Sequence, residues 1–462
     1  MHATYQPPRL RRLPAAAPRS LSHVEAERRV AAIEASFPAE GLFEGKTWRV
    51  SPVPFPLTER QIHYLEKLGP RLLKFYKASE VLYQSSARGK RHPWVAAYLE
   101  AGKPEQLRTL ARAPTLRGQT PQVIRPDLLL TEDGFAVSEL DSVPGGIGLT
   151  QWLNETYIGL GEDVIGGAEG MLDGFASLFG GEPTEILVSQ EAKDYRPEMD
   201  FLRRRLAETG HGPGWKVTDA ETVAAPWASH YYRFFEMFDL DNLPGTRALL
   251  DAVLAGETRL TSPPKTFFEE KLWLALFWAK PLEKFWIRAL GGRYFRDLKE
   301  IVPFGWVVDP APLPPHAVLP RLEIQDWAEL KDFSQAQRAL VLKISGFSEL
   351  AWGSRGVTIG QDVSQKEWRE AVSEAIASFP AAPYLLQDFK KAQIIEHPWW
   401  NPDTGKLETM AGRVRLCPYY FVPDPLGKEA RLGGVLCTIV PADKKIIHGM
   451  KDGILVPAAL AL

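Results

Sequence analysis

The chain has 462 residues, too many for one ordinary hydrophobic core, so two to four structural units are expected. With 45% hydrophobic and 24% charged residues it reads as an ordinary globular protein, neither disordered nor membranous. A formal charge of -2 gives no whole-protein field that would favour nucleic acid or an anionic membrane, so any phosphate recognition has to be local.

Residues 1–50 open with Arg9, Arg11, Arg12 and Arg19 in a proline-interrupted basic arm, without the apolar run of a signal peptide. Leu57 to Tyr76 then places apolar residues at helical spacing, and helical text continues to about Arg112. Val123–Leu130 and Phe135–Leu140 read as two strands, and the Asp133-Gly134 pair between them is a strong hairpin signal. From Glu185 the order strand, helix, glycine turn, strand is that of a βαβ unit, which predicts a small α/β domain over 181–262. An aromatic-rich helical stretch follows between Pro263 and Pro315, and the proline cluster 310–320 marks a domain edge. The last part alternates Ala339–Lys343, a glycine loop, Val357–Gly360, a helix from Gln365 to Ser378, the strand Tyr384–Phe389 and further strands to the end.

The longest apolar run, Leu272 to Trp278, is soon interrupted by Lys280, Glu283 and Lys284, so no membrane-spanning helix is expected. Cys417 and Cys437 lack the spacing of a zinc site and read as buried, reduced thiols of a cytoplasmic protein.

On the hairpin, alternation puts Arg125 and Asp127 on one face of their strand and Glu139 and Asp141 on one face of theirs. Three carboxylates so placed repel one another unless a cation neutralises them, and an oxygen-only ligand set suits Mg2+. The glycines after Pro144 leave room for backbone N–H groups to approach an anion. Solvated hairpin charges and a plain turn account for the same residues equally well.

Lys343 ends an apolar strand, and Gly346, Gly353 and Gly356 punctuate the loop behind it, as in a lid over nucleotide phosphates. No GxxxxGK[ST] motif occurs, so this is not a P-loop. A surface lysine followed by hairpin glycines is the plainer alternative. The strand Tyr384–Phe389 turns polar at Gln387 and Asp388, where backbone groups can meet an adenine edge, although many core strands end this way.

Taken together, these words resemble the ATP-grasp superfamily, and in particular its circularly permuted members, because the Arg-x-Asp and Glu-x-Asp strands precede the lysine strand. The resemblance implies an α/β (α+β) fold: an ATP-grasp fold in permuted order with an inserted pre-ATP-grasp α/β domain. It divides the chain into an arm (1–50), a helical scaffold with the metal-binding half (51–180) and the pre-ATP-grasp-like domain (181–262). A helical connection and linker (263–320) and the nucleotide-binding half (321–462) complete the expected order.

The resemblance further implies that Lys271 and Lys343 bind ATP phosphates, that Gly346, Gly353 and Gly356 cover them, and that Gln387, Asp388 and Phe389 hold adenine. Asp127, Glu139 and Asp141 would hold magnesium, and Arg125 would face the transferred phosphoryl group, with Lys343 and Arg415 assisting. Asp141 departs from the commoner asparagine, which puts the geometry of a second metal ion in doubt.

The implied chemistry is an ATP- and Mg2+-dependent ligation of a small-molecule carboxylate to an amine through an acylphosphate. A kinase on the same scaffold and an inactive ATP-binding protein are the alternatives. Arg413 alternates with Arg415 on a strand, which a surface strand also explains. His397 beside Trp399 and Trp400 reads either as an acceptor-site residue or as a structural histidine, and no general base stands out.

Overall fold

The computed structural model describes residues 16–38, 42, 47–351, 356–423, 429–444, 447 and 452–461. Arg9, Arg11 and Arg12 of the arm and Gly353 of the glycine loop lie outside the described residues. In chain order the strands are β1 (Phe55–Leu57), β2 (Val123–Thr131), β3 (Gly134–Asp141), β4 (Glu185–Val188), β5 (Lys216–Asp219), β6 (His230–Phe234), β7 (Arg259–Thr261) and β8 (Gly305–Val308). They continue with β9 (Leu340–Ile344), β10 (Val357–Ile359), β11 (Tyr384–Asp388), β12 (Ile395–Asn401), β13 (Lys406–Phe421), β14 (Arg431–Pro441) and β15 (Ile454–Leu460).

Two compact units result. The first gathers the chain up to residue 76, residues 118–264 and everything from 391 onward; the second takes 77–117 and 265–390. The boundary near residue 390 falls inside the segment 321–462, because β12 to β15 join the sheet of the hairpin, through the pairing of β13 with β2, and β9 does not.

In the first unit a seven-stranded sheet runs β1-β15-β14-β13-β2-β3, with β12 on the early part of β13. Only β1 and β15 pair in parallel along this path; the other ladders are antiparallel. The 16-residue β13 is long enough to pair with β12 near its start and β2 near its end, and its Arg415 lies opposite Leu129. Burial on both sides explains its apolar text, with Val414, Leu416, Tyr419, Tyr420 and Phe421 fully buried. The helix Glu59–Ala87 lies on this sheet at Gly69, where a Cβ would stand 2.5 Å from the Tyr420 ring, and Tyr420 donates its hydroxyl to the Leu65 carbonyl at 2.7 Å. Both cysteines are buried and free.

The same unit holds the predicted α/β segment, a four-stranded sheet in the order β5-β4-β6-β7 with every pair parallel. Its helices are Arg196–Glu208, with Pro197 in the first turn, and Pro244–Ala255, which stops at a left-handed Gly256.

The second unit carries the antiparallel sheet β10-β9-β11-β8. Leu342, Leu386, Trp306 and Val308 of these strands pack with Trp368 and Val372 of the helix Gln365–Ala377, which begins at a Ser364/Glu367 capping box. β8 falls inside the stretch between Pro263 and Pro315 that reads as helical, whose remaining elements are helices. Its four residues, Gly-Trp-Val-Val, are too few for periodicity to separate a buried strand from a helix segment. Among the described residues no helix is long and apolar enough to cross a membrane.

Candidate active site

On the β2–β3 hairpin, Arg125 lies opposite Asp141 and Asp127 opposite Glu139, so all four side chains share one face, as alternation requires. A bulge follows, because Leu128 pairs with Val137 and Ser138 is the extra residue; its hydroxyl donates to the Asp127 carbonyl at 3.1 Å. The bulge lets Glu139 and Asp141 keep the Asp127 face while the rest of β3 returns to register.

Arg125 is committed through all three nitrogens. Its Nε donates to Asp127 Oδ1 at 3.0 Å, Nη1 donates to the Gly145 carbonyl at 3.1 Å, and Nη2 pairs with Asp141 Oδ2 at 3.0 Å. From β13, Arg415 Nη1 reaches Asp127 Oδ2 at 2.9 Å, and the Cys417 thiol donates to Oδ1 at 3.4 Å. Burial pushes the Asp127 carboxyl up, but Arg125 and Arg415 together more than offset it and hold it below the ordinary carboxylate value. Burial likewise drives the Cys417 thiol up, to about 12, so it stays protonated. Arg415 Nε is buried without a hydrogen-bond partner among the described residues, an orphaned donor on a cationic group.

Neutralisation of the hairpin acids thus comes first from two arginines. Asp127 is 5% exposed with both oxygens occupied; Asp141, whose two oxygens take Arg125 Nη2 and the Val143 amide, keeps 26% of its side-chain surface, and Glu139 is half-buried. Burial raises the Asp141 carboxyl, with Glu139 and Asp127 adding to the rise and Arg125 and the Val143 amide opposing it. Among the described residues no three His, Cys, Asp or Glu side chains form a metal cage. Two accessible carboxylates nonetheless suit Mg2+, which keeps water and substrate phosphates as its remaining ligands. Arg413, which alternates with Arg415 on β13, is buried rather than on a surface strand, and its guanidinium donates to the carbonyls of Ala442 and Ala392 at 3.0 and 3.1 Å.

The glycine turn after Pro144 does meet an anion, but an internal one. Glu198 Oε1 accepts from Gly146 N at 2.7 Å and from Gly148 N at 3.1 Å. Nothing in the local sequence announces this partner, which lies 50 positions beyond Gly148 in the α/β segment. Tyr419 also closes on the turn, donating its hydroxyl to the Gly145 carbonyl at 2.7 Å.

In the second unit, Lys343 is 9% exposed on β9 and donates to Gln387 Oε1 at 3.1 Å across the β9–β11 pair. Lys271 Nζ donates to the Ala351 carbonyl at 3.2 Å, so it reaches the loop that the sequence marks as a phosphate cover. Gly346 admits a close crossing of that loop over 269–270, because a Cβ there would stand 1.7 Å from the Glu269 carbonyl. Gly356 faces Ile344 in the same tight way. Next to Lys271, Glu270 takes an ion pair from Lys103 and a hydrogen bond from the Ser345 hydroxyl, and the Lys103 and Glu270 side chains are both fully buried. The sequence does not announce this triad, since Lys103 and Ser345 lie 167 and 75 positions from Glu270 along the chain and no local motif joins them.

The expected adenine residues are already bonded in part. The Asp388 amide donates to Phe304 O at 2.8 Å and the Phe389 amide to Ala339 O at 2.9 Å. The Asp388 carboxylate pairs with Arg321 at 3.0 Å, although burial pushes its carboxyl up. His397 is fully buried, 3.1 Å from the Ser51 hydroxyl and stacked on Phe55, and burial lowers its pKa to about 4. It is a neutral core histidine.

No protein-family model and no curated protein sequence matches the chain. Among solved structures it is similar to a glutathione synthetase-like effector from Globodera pallida in the apo form, with 12% identity and a TM-score of 0.56 over 96% of this chain and 98% of that one. A putative γ-glutamylcysteine synthetase from Methylobacillus flagellatus aligns over 84% of this chain and 88% of that one at 10% identity, but its TM-score of 0.40 carries no argument. The first likeness extends over nearly the whole chain and gives the fold alone, a mixed α/β architecture.

Proposed function

We propose that the chain is an ATP-dependent carboxylate–amine ligase of permuted ATP-grasp order. The observation that carries the reading is the meeting of Arg125, Asp127, Glu139 and Asp141 with Arg415, from a strand far along the chain, on one face of one sheet.

In this reading a substrate carboxylate oxygen attacks the γ-phosphorus of ATP, the bond to ADP breaks, and an acylphosphate forms. The amine nitrogen then attacks the acyl carbon, phosphate leaves with the C–O electron pair, and the amine gives up a proton. Arg125 and Arg415 stabilise charge on the phosphoryl group and then on the departing phosphate. Asp127, expected among the metal ligands, serves the two arginines in this reading, since it is 5% exposed and its oxygens are taken by them and by the Cys417 thiol. Glu139 and Asp141 are the carboxylates that would hold magnesium, whose chemistry is to offset triphosphate charge. Lys271 and Lys343 add positive charge for the nucleotide, and Gln387 fixes the Lys343 ammonium.

The test is trapping. With ATP and a competent carboxylate, hydroxylamine should capture the acylphosphate as a hydroxamate together with stoichiometric ADP. A folded chain that hydrolyses or transfers phosphate without any hydroxamate, across a broad carboxylate pool, would overturn the reading.

A further inference from the structure

Helix Ile147–Gly159 begins without a cap of its own. Its N-cap is Gly146, which has no side chain to offer, and which sits at a left-handed φ of +91°. The missing acceptor comes from elsewhere: the Glu198 carboxylate, 2% exposed on the first turn of helix Arg196–Glu208, takes the amides of Gly146 and Gly148 on one oxygen. A carboxylate there satisfies two of the helix's orphan donors and faces the positive end of its dipole.

The turn is shaped to receive it. A Cβ at Gly148 would stand 2.6 Å from the Glu198 carbonyl oxygen, one at Gly145 would stand 2.4 Å from the Tyr195 ring, and one at Gly146 would stand 2.2 Å from the Tyr419 hydroxyl. Real side chains do not approach so closely, so the glycines are explained by internal packing and not by a phosphate. From the opposite side, Arg125 Nη1 and the Tyr419 hydroxyl both grip the carbonyl of Gly145. The peptide that Glu198 holds by its amides is therefore contiguous with the peptide that holds Arg125.

We propose that Glu198 is a positioning residue for Arg125: a capping carboxylate supplied by the α/β segment, which fixes the Pro144–Gly148 turn and through it the guanidinium that faces the transferred phosphoryl group. The turn is consequently closed to nucleotide phosphate. This rests on the ligase reading for its effect on turnover, but the capping itself does not.

The test is chemical rescue of Glu198→Ala by formate, with Glu198→Gln as the isosteric control, in the full chain. Glu198→Ala should raise hydrogen exchange at the Gly146 and Gly148 amides and lower kcat for ADP formation about tenfold or more, with KM for ATP little changed. Millimolar formate should restore both in parallel and saturably, while chloride at the same ionic strength should restore neither. Glu198→Gln should fall between parent and alanine variant, since its amide oxygen accepts the same bonds without charge. Parental kcat in a folded Glu198→Ala protein, or a loss that formate leaves unchanged while it restores amide protection, would overturn the proposal. If the parent chain itself turns over no ATP, the ligase reading fails, and unchanged exchange at Gly146 and Gly148 in Glu198→Ala would separately overturn the capping role.

Discussion

Arg415 and Asp127 stand 288 positions apart in the chain and 2.9 Å apart in the fold. Their contact exists because β13 pairs with β2, so the late strand brings a second guanidinium to a carboxylate already held by Arg125. Removing the charge of Asp127 leaves two half-buried arginines without it. Asp127→Asn should therefore lower stability by about 3 kcal/mol, the scale of breaking a buried ion pair. The sign with pH follows from the depressed carboxyl. Its contribution is fully present above the unfolded value of about 4 and is lost as pH falls through the lower folded value. Urea unfolding across this range should find parent and variant converging on acidification. A difference that stays constant with pH would mean that the variant acts through packing alone.

Glu139 lies directly opposite Asp127, an unfavourable like-charge pair in the sheet. Glu139→Gln keeps the shape and removes one charge, so stability should hold or rise. Turnover should fall about a hundredfold or more, by comparison with other preorganised electrostatic groups. Thermal melting and ADP release measured on the same preparation check the opposite movement. Intact turnover at limiting magnesium would remove the hairpin from the catalytic centre.

Lys343 is held by Gln387, whose own amide donates to the Pro303 carbonyl at 3.4 Å and so survives loss of the lysine. Lys343→Ala should weaken ATP binding about tenfold or more, the scale of a lost charged hydrogen bond of about 1.5–3 kcal/mol, without unfolding the protein. Calorimetry reads this directly, and an unchanged affinity would withdraw Lys343 from the nucleotide site.

The Lys103–Glu270 pair is fully buried. Lys103→Met leaves the Glu270 carboxylate with the Ser345 hydroxyl among the described residues, and should cost about 3–5 kcal/mol. Adding Glu270→Gln should recover part of the loss, because no uncompensated charge then remains. Additive losses in the double variant, read from denaturation midpoints, would show that the two residues do not act as a pair.

Much of the sheet chemistry was legible in the sequence because a two-residue period assigns faces without any tertiary information. Asp133-Gly134 closed the hairpin, and alternation placed Arg125, Asp127, Glu139 and Asp141 together. The βαβ text from Glu185 gave the parallel sheet for the same reason of local pattern. What was not legible is what reaches a site from far away. Spacing cannot reveal that Arg415 neutralises Asp127, so the sequence leaves the acids to a metal ion or to solvent. The glycines after Pro144 read as room for an anion, whereas Glu198 and Tyr195 fill that room. The end of the strand Tyr384–Phe389 reads as open to adenine because a strand's own text does not say which neighbours take its amides, and those of Asp388 and Phe389 bond to Phe304 and Ala339.

The central claim is that ATP is spent on joining two organic substrates, and steady-state ADP release tests it most directly. Purified chain should be assayed with ATP and magnesium against pooled carboxylates alone, pooled amines alone and both together. The account predicts sustained ADP and phosphate release only when a carboxylate and an amine are both present. Sustained release with a single hydroxyl-bearing substrate and a stable phosphoester product would make the chain a kinase. No release from any combination by a folded, ATP-binding chain would contradict the account outright.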